Sequence, residues 1–388
     1  MPDRELDLVL FGATGFTGGL TADYLARHVP DGCRWALAGR NQEKLEKLRA
    51  RLGVDVPLLR ADVTEEDSLA DIASRARVVV TTVGPYLEHG APLVAACAKA
   101  GTDYVDLTGE PEFVDRMYVE HHEEAVRSGA RIVHACGFDS VPYDLGAMFT
   151  VSHLPEGVPL RVRGMVRSNA TFSGGTFASV LTAFSRGPQM KKVSRERRRL
   201  EPPRPEGRRV RTAAKRPHLD KEVGYWLVPL PTIDPLVVRR SATALDRYGP
   251  DFEYAHYAAV MRLPMVVGGV AAVATMGLAA QVAPLRRFLI SRVPQGEGPS
   301  EERRARSYFT VRFVGEGGGR RVSTEVRGGD PGYDETAKML SEAALSMAFD
   351  DNPPTAGQVT TAVAMGDRLL ARLQRAGLTF TVLSDEAV

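Results

Sequence analysis

A short apolar run, Leu8-Val9-Leu10-Phe11, passes directly into Gly12-Ala13-Thr14-Gly15-Phe16-Thr17-Gly18. A strand that empties into a glycine-rich turn leaves few folds open. In such a turn the first glycine permits the sharp bend and the second lets the backbone approach a pyrophosphate. The third lets the following helix lie close to the strand, with the helix N-terminus facing phosphate charge. GxxGxxG alone is a weak match, but its surroundings strengthen it. A helical pattern follows (Leu20, Tyr24, Leu25), and then a second strand, Arg34-Trp35-Ala36-Leu37-Ala38, ends where a ribose-reading residue is expected. Cofactor contacts are therefore expected from Gly12, Thr14, Gly15, Phe16, Thr17 and Gly18. A glycine turn that holds no ligand is the bland alternative.

The residue at the ribose position separates the two nicotinamide dinucleotides, because an acidic side chain there accepts from a free 2'-hydroxyl and repels a 2'-phosphate. This chain has Gly39-Arg40-Asn41, with Lys44 one turn later. Arginine offers a planar fork of donors that matches phosphate oxygens. NADP(H) is expected over NAD(H), with Arg40, Asn41 and Lys44 at the 2'-phosphate. The competing reading is a solvated arginine at a strand end.

With 388 residues the chain has room for two domains or one elaborated one, and its 44% hydrophobic and 25% charged residues are those of a soluble globular protein. Cys33, Cys97 and Cys136 are widely spaced and lack any CxxC or Cys/His ligand pattern. This argues against a disulfide framework and against a metal site, and fits a reducing, cytoplasmic setting. Asp3, Arg4, Glu5 and Asp7 do not suit a secretory signal. Between Lys191 and Lys221, thirteen Lys/Arg stand against four Asp/Glu, a local charge of +9 in a chain whose net charge is +2. A basic segment on an acidic body is a localised feature and not a nucleic-acid surface.

Along the chain, strands and helices alternate: a helix over 42–52, a strand over 56–60, a helix over 68–74, the β-branched run 78–83, a helix over 90–100, a strand over 104–107, a helix over 112–128 and a strand over 131–136. Unbroken alternation of this kind predicts a doubly wound parallel sheet, α/β in class, over residues 1–150. The third strand ends in Asp62-Val63, which can meet an adenine edge or simply cap the next helix. Ligands bind outside the carboxyl ends of such strands, so Gly84-Pro85-Tyr86, Thr108-Gly109-Glu110 and Gly137-Phe138-Asp139-Ser140 are expected at the nicotinamide half.

From about residue 151 the pattern changes. Strands are expected over 160–168, 225–230, 236–242, 308–314 and 321–326, giving a second, α+β domain over 151–335 with a mainly antiparallel sheet. A helix is expected over 177–185, the basic, Pro-rich stretch 190–217 reads as a mobile loop, and two helices, 333–349 and 358–376, are expected to pack back on the first domain within residues 336–388. Leu263 to Ala283 is uncharged over 21 residues, between Arg262 and the pair Arg286-Arg287. Its length suits a membrane span, but its six Ala and three Gly leave open a membrane-surface element, one facing a lipid tail, or a buried helix.

Taken together, GATGFTG, Leu37-Ala38-Gly39-Arg40, Val83-Gly84-Pro85-Tyr86, the run Thr102 to Glu110, and His134 to Pro142 resemble the saccharopine dehydrogenase-like oxidoreductases. More closely, the chain is similar to the trans-acting enoyl reductases of polyketide-lipid assembly. Ser173-Gly174-Gly175-Thr176 and Gly328-Gly329-Asp330-Pro331-Gly332-Tyr333 extend that likeness over the whole chain. The resemblance implies an NADP-dependent reductase acting on an acyl thioester, a lipid-like molecule carried by a synthase, with an acyl carrier domain as a partner. Peripheral membrane contact and a homodimer stay open. Tyr143 stands where the family more often has a small hydroxyl residue, so no catalytic role is carried onto it. Enoyl reduction needs a hydride at the β-carbon, a donor at the enolate oxygen and a proton at the α-carbon. Candidates for these donors are Tyr86, Asp139 and Ser140, with Glu110 and Thr108 next. No Tyr-x-x-x-Lys pair is present, which disfavours carbonyl reduction by that dyad. A saccharopine-type amino-acid dehydrogenase and a non-catalytic lipid-associated protein are the alternatives.

Overall fold

The computed structural model describes residues 4–170, 174–203, 207–213, 216–292 and 298–388. The first part runs β1 (Leu6–Phe11), α1 (Phe16–His28), β2 (Trp35–Gly39), α2 (Gln42–Leu52), β3 (Leu58–Arg60), α3 (Glu66–Arg75), β4 (Ala76–Thr81), α4 (Tyr86–His89), α5 (Ala91–Ala100), β5 (Asp103–Val105), α6 (Pro111–Ser128) and β6 (Arg131–Val133). There follow α7 (Val141–Ser152), β7 (Leu160–Ser168), α8 (Gly174–Ser185), α9 (Gly187–Leu200), β8 (Arg209–Thr212), β9 (His218–Asp220), β10 (Tyr225–Pro229), α10 (Asp234–Ala244), β11 (Asp251–Val260), α11 (Leu263–Gln281), α12 (Ala283–Ser291) and α13 (Glu301–Ala305). The chain closes with β12 (Phe309–Gly317), β13 (Arg320–Gly328), α14 (Asp334–Phe349), β14 (Gly357–Val359), α15 (Thr361–Ala364), α16 (Gly366–Arg375) and β15 (Thr379–Ala387).

Among the described residues the strands form two sheets. The first is parallel throughout, in the order β14-β6-β5-β4-β1-β2-β3. Its central strands are buried on both faces, as their β-branched sequence requires. The second is ordered β15-β13-β12-β7-β11-β10-β9, with β8 beside the first half of β11. It is antiparallel except where β11 meets β7 and β8. The expected doubly wound sheet and the second, mainly antiparallel sheet are both present.

Helix α7 joins them. It leaves the carboxyl end of β6 and lies on the inner face of the second sheet. Gly146 allows that close approach, because a Cβ there would stand 2.4 Å from the Phe313 ring. One apolar core consequently runs from Leu8 and Val78 through Leu145 to Phe313 and Val326.

Three expectations need correction. The basic stretch is not a loop over its first part: residues 187–200 form α9, which packs along α6. The cause is Arg197, 5% exposed, which pairs with Asp115 of α6 (3.3 Å) and with Glu201 (2.7 Å) and covers the Tyr118 ring at 4.1 Å. Residues 204–206 and 214–215 of that stretch lie outside the described residues. Residues 236–242 are helix and not strand, because Asp234-Pro235 starts α10 and its buried positions, Val237, Val238, Ser241 and Ala242, fall at helical spacing. The expected helix over 358–376 is divided, since Gly357 to Val359 pair with β6 and Gly366 has a positive φ of 45° between α15 and α16. After α16 the chain ends the second sheet with β15, the edge strand beside β13.

Candidate functional site

The glycine turn is built as its spacing demands. Gly12 sits at φ 87°, and a Cβ there would approach Val83 Cγ2 to 2.7 Å. At Gly18 a Cβ would lie 2.1 Å from the Gly12 carbonyl oxygen, so only glycine lets α1 come this close to β1. Gly15 differs: it is exposed, and a Cβ there would meet only the Gly12 carbonyl oxygen, at 3.4 Å. The space above it is therefore open to a ligand. Helix α1 begins at Phe16 with no acidic residue in its first turn, which leaves the positive end of the helix facing that space. Thr14 is exposed and Thr17 partly so. Phe16 turns away from the turn to meet Tyr333 edge-on, at 5.0 Å between ring centroids. Asp330 of the Gly328–Tyr333 motif holds that tyrosine by accepting from its backbone N–H at 2.8 Å.

At the end of β2, Arg40 is exposed, and Asn41 caps α2 by accepting from the Lys44 N–H at 2.9 Å. Asp62 is occupied locally, accepting from the Thr64 N–H (3.0 Å) and hydroxyl (2.8 Å). Those bonds, with a smaller pull from Arg40, hold its carboxyl below the usual range. Val63 packs against the core under β3. Gly15, Arg40 and Lys44 thus offer space and positive charge for a dinucleotide with a 2'-phosphate, and the residues fit NADP(H). Replacing Arg40 by Asp should weaken NADPH by about 2–3 kcal/mol, roughly thirty- to a hundred-and-fifty-fold in Kd, while NADH is unchanged or improved. Fluorescence titration of both cofactors reads this directly, and equal affinity of the unmodified protein for the two would exclude Arg40 as the 2'-phosphate clamp.

The turns expected at the nicotinamide half are more selective. Gly84 and Pro85 lead into α4 beside the carboxyl end of β4. Tyr86 does not face the cleft: its hydroxyl donates to the Thr81 carbonyl (3.1 Å) and accepts from the Leu107 N–H (3.2 Å) inside the sheet edge. Burial holds its phenol protonated, and its geometry is that of a structural tie. Ser140 is fully enclosed at the start of α7, with its hydroxyl unpartnered among the described residues, so it does not reach a substrate either. Glu110 binds the backbone N–H groups of Leu87 (2.8 Å) and Tyr86 (3.2 Å) and the Ser179 hydroxyl (3.1 Å), while Thr108 accepts from the Glu110 N–H at 3.2 Å. Of the expected donors only Asp139 is partly exposed, in the turn between β6 and α7, where burial pushes its carboxyl up to about 6. The turn after β5 has to make room for it, because a Cβ on Gly109 would lie 2.9 Å from Asp139 Oδ2.

Residues 8–133 match the family model of the saccharopine dehydrogenase NADP-binding domain. A Mycobacterium tuberculosis protein with the provisional name trans-acting enoyl reductase is 41% identical to this chain, with 97% of each covered. A Mycobacterium bovis trans-acting enoyl reductase is 37% identical and one from Mycobacterium ulcerans 36%, again with 97% of each chain covered. The chain belongs to the trans-acting enoyl reductase family. Among solved structures, the apo saccharopine dehydrogenase (L-Glu forming) of Saccharomyces cerevisiae shares the fold, with a TM-score of 0.58 at 13% identity over 98% of this chain and 100% of that one. Family and NADP-binding domain together make this an NADP-dependent oxidoreductase.

In this member of the trans-acting enoyl reductase family, α8 leans on the carboxyl edge of the first sheet through the Ser179–Glu110 bond, and α11 and α12 pack on α8. Gln281 at the end of α11 donates to the Phe184 carbonyl of α8 at 2.8 Å. A buried helix, one reading open from the sequence, is not what the fold provides. Only Val266 and Ala280 of α11 are buried, while Val267 is 61% and Leu278 73% exposed. Ser173, in the SGGT motif, lies outside the described residues, and Gly174 opens α8.

Sequence reasoning missed the buried cluster of Asp234, Tyr254 and His256, in which His256 Nε2 lies 3.7 Å from Asp234 Oδ2 and His256 Nδ1 lies 3.2 Å from the Tyr254 hydroxyl. Asp234 is the first residue of α10, and Tyr254 and His256 point inward from β11. Its one legible signal was Asp-Pro as a helix start; no spacing links it to a histidine 22 positions on. Arg304 of α13 was missed as well: its guanidinium lies over the Phe16 ring at 5.6 Å and binds Asp334 at 2.9 Å.

Proposed function

We propose that the protein is an NADPH-dependent enoyl reductase that acts in trans on an unsaturated acyl thioester. The observation that carries this reading is the placement of α11: an apolar, solvent-facing helix rests on α8, which in turn touches Glu110 at the edge where the first sheet presents Asp139. An alkyl chain can lie along such a surface while its thioester end enters the cleft. The relatives named trans-acting enoyl reductase support it, and the apolar surface does not suit a polar amino-acid substrate. NADPH, when bound, supplies the hydride. Gly15 and the start of α1 hold its phosphates, Arg40 selects the 2'-phosphate, and the turns at Gly109 and Asp139 bound the space for the substrate.

The finer partners follow from the surface. Helix α9 presents Lys191, Lys192, Arg195, Arg198 and Arg199 to solvent, a cationic face suited to an acidic acyl carrier domain. Arg197 is not part of it, because it is buried against Asp115. Helix α11 is bracketed by Arg262 at one end and by Arg286 and Arg287 at the other, and is long and apolar enough to cross a membrane. In this reading it lies against lipid, either a membrane surface or the substrate's own tail. Each methylene sheltered there contributes about 0.8 kcal/mol, so preference should climb with chain length.

The test is NADPH oxidation with enoyl thioesters of increasing chain length, free and carrier-bound. Reversing Arg195, Arg198 and Arg199 to Glu should slow turnover of the carrier-bound substrate about tenfold or more at low ionic strength, with the difference fading as salt is raised. A short free thioester should be unaffected. Equal loss on both substrates, or none on either, would sink the docking reading; no oxidation with any enoyl thioester would sink the activity.

A further inference from the structure

The largest apolar feature of the surface is α11 together with α12. Ten of the eighteen large apolar side chains that stand exposed among the described residues fall between Met261 and Phe288. From Tyr254 to Gly296 the sequence has four arginines, Arg262, Arg286, Arg287 and Arg292, and no Asp, Glu or Lys. Elsewhere the signs nearly balance, 48 Asp/Glu against the remaining 46 Lys/Arg, so a single sign of charge here is a local property. None of the four arginines is paired with a carboxylate among the described residues.

The geometry of α11 decides what can cover it. Its two buried residues are Val266 near the start and Ala280 near the end. Fourteen positions separate them, about 21 Å along the axis and about 40° around it, so one side of the helix is fastened to the body at both ends. Gln281 and Arg286 secure the far end by donating to the Phe184 and Ala280 carbonyls, both at 2.8 Å. A helix held along its length lies on the protein and cannot stand across a hydrocarbon layer about 30 Å thick. The exposed side chains of Val270, Leu263, Val267, Leu278 and Met265 follow one another over about 220° of the circumference. A helix of a second copy would cover an apolar stripe about 100° wide, and a substrate chain lying alongside would cover less. Only a surrounding apolar medium reaches all of these side chains together.

We infer that α11 and α12 form an in-plane anchor for an anionic phospholipid surface, in which α11 sinks side-on into the boundary between headgroups and acyl chains and the arginines at its two ends hold lipid phosphates. The inference narrows the lipid-facing reading of α11 given above and rests on it, but does not depend on the reduction step. Arg262 stands immediately before α11, and Arg287 is exposed on α12. Their planar guanidinium groups match phosphate oxygens, while their apolar stems can lie along the same surface as the helix. Arg292 lies over the ring of exposed Phe288 at 4.8 Å, which keeps a cation and an apolar wedge at one level. The fixed side of α11 rests on α8, and α8 reaches Glu110 at the carboxyl edge of the first sheet. A long acyl chain lying in the lipid surface is then one helix away from the cleft.

Flotation of the full chain with vesicles of phosphatidylcholine, alone or with one third phosphatidylglycerol, tests the anchor. At low salt, binding should be at least tenfold tighter to the anionic vesicles, and high salt should remove most of that difference. Arg262→Glu combined with Arg287→Glu should remove it as well. Val267→Glu combined with Leu278→Glu, at positions 61% and 73% exposed, should abolish binding to both compositions while the unfolding midpoint hardly moves and NADPH affinity stays within twofold. In Val270→Trp, indole emission should shift to the blue on adding anionic vesicles and be quenched by brominated acyl chains, which headgroup charge alone would not produce. No flotation with either vesicle, equal binding to the two, or flotation that Val267→Glu with Leu278→Glu leaves unchanged overturns the inference. So does a dimer in sedimentation that the same double variant splits, or its loss of affinity for a long-chain enoyl thioester, where vesicles are not bound. Those two results would give α11 to a second copy or to the substrate tail. If anionic vesicles bind as expected and no enoyl thioester is reduced, the activity reading fails and the anchor stands.

Discussion

Replacing Asp115 by alanine is expected to cost about 3–5 kcal/mol of stability. Asp115 projects from α6 into a gap where two guanidinium groups converge, that of Arg197 from α9 at 3.3 Å and that of Arg240 from α10. Burial drives Arg240 down to about 9, with the Arg197 charge as the next cause, so the site already strains to hold its cations. Without the carboxylate, Glu201 alone would face both. A buried ion pair adds little when complete, yet removing one partner strands a charge in low dielectric. Urea unfolding followed by circular dichroism measures the change. A loss below about 1 kcal/mol would mean that α9 is held by something other than this cluster.

Gly15→Val is expected to abolish useful NADPH binding, a loss of more than about 3 kcal/mol or roughly a hundredfold and above in Kd, in a protein whose unfolding midpoint hardly moves. The asymmetry comes from where the new carbon goes. At Gly15 it would meet only one backbone oxygen, at 3.4 Å, and otherwise occupies the open side of the turn. At Gly18 it would stand 2.1 Å from the Gly12 carbonyl oxygen, so even Gly18→Ala must displace α1 from β1. That second variant should lose both stability and cofactor. Thermal melts paired with NADPH titrations separate the two positions. Retained affinity in a folded Gly15→Val protein would remove the turn from the cofactor site.

The first six strands of the parallel sheet were legible because each carries its own local signal, and the glycine turn because three spacings answer three steric demands. What escaped was set by partners distant in sequence. Charge marked 190–217 as a loop, yet the burial of Arg197 depends on Asp115, 82 positions earlier. Strand β14 has three residues and is a strand only because β6 offers an open edge. At the candidate site, Tyr86 and Ser140 were read correctly as lying near the carboxyl ends of the strands, but nothing local shows which way a side chain turns there. Asp139 could be named from its motif, whereas Asp234 and His256 are brought to one another by α10 and β11, elements whose own sequences carry no chemical signature. The exposure of α11 was equally hidden, since an apolar run has the same composition in a core and at a lipid surface.

The two sheets are finished by the last strands of the chain: β14, at 357–359, completes the parallel sheet beside β6, and β15, at 379–387, completes the other beside β13. A ribosome adding about 5–20 residues each second therefore releases β6 long before its neighbour exists, and through that interval the nascent chain presents an unpaired edge of Arg131-Ile132-Val133, the kind of edge that invites other strands. Neither half can reach its final form during synthesis, and the chain must complete both together once its tail has emerged. Loss of a few dozen C-terminal residues to a premature stop or a protease would then open both sheets at once, leaving a product that aggregates and not a shorter enzyme with one intact half.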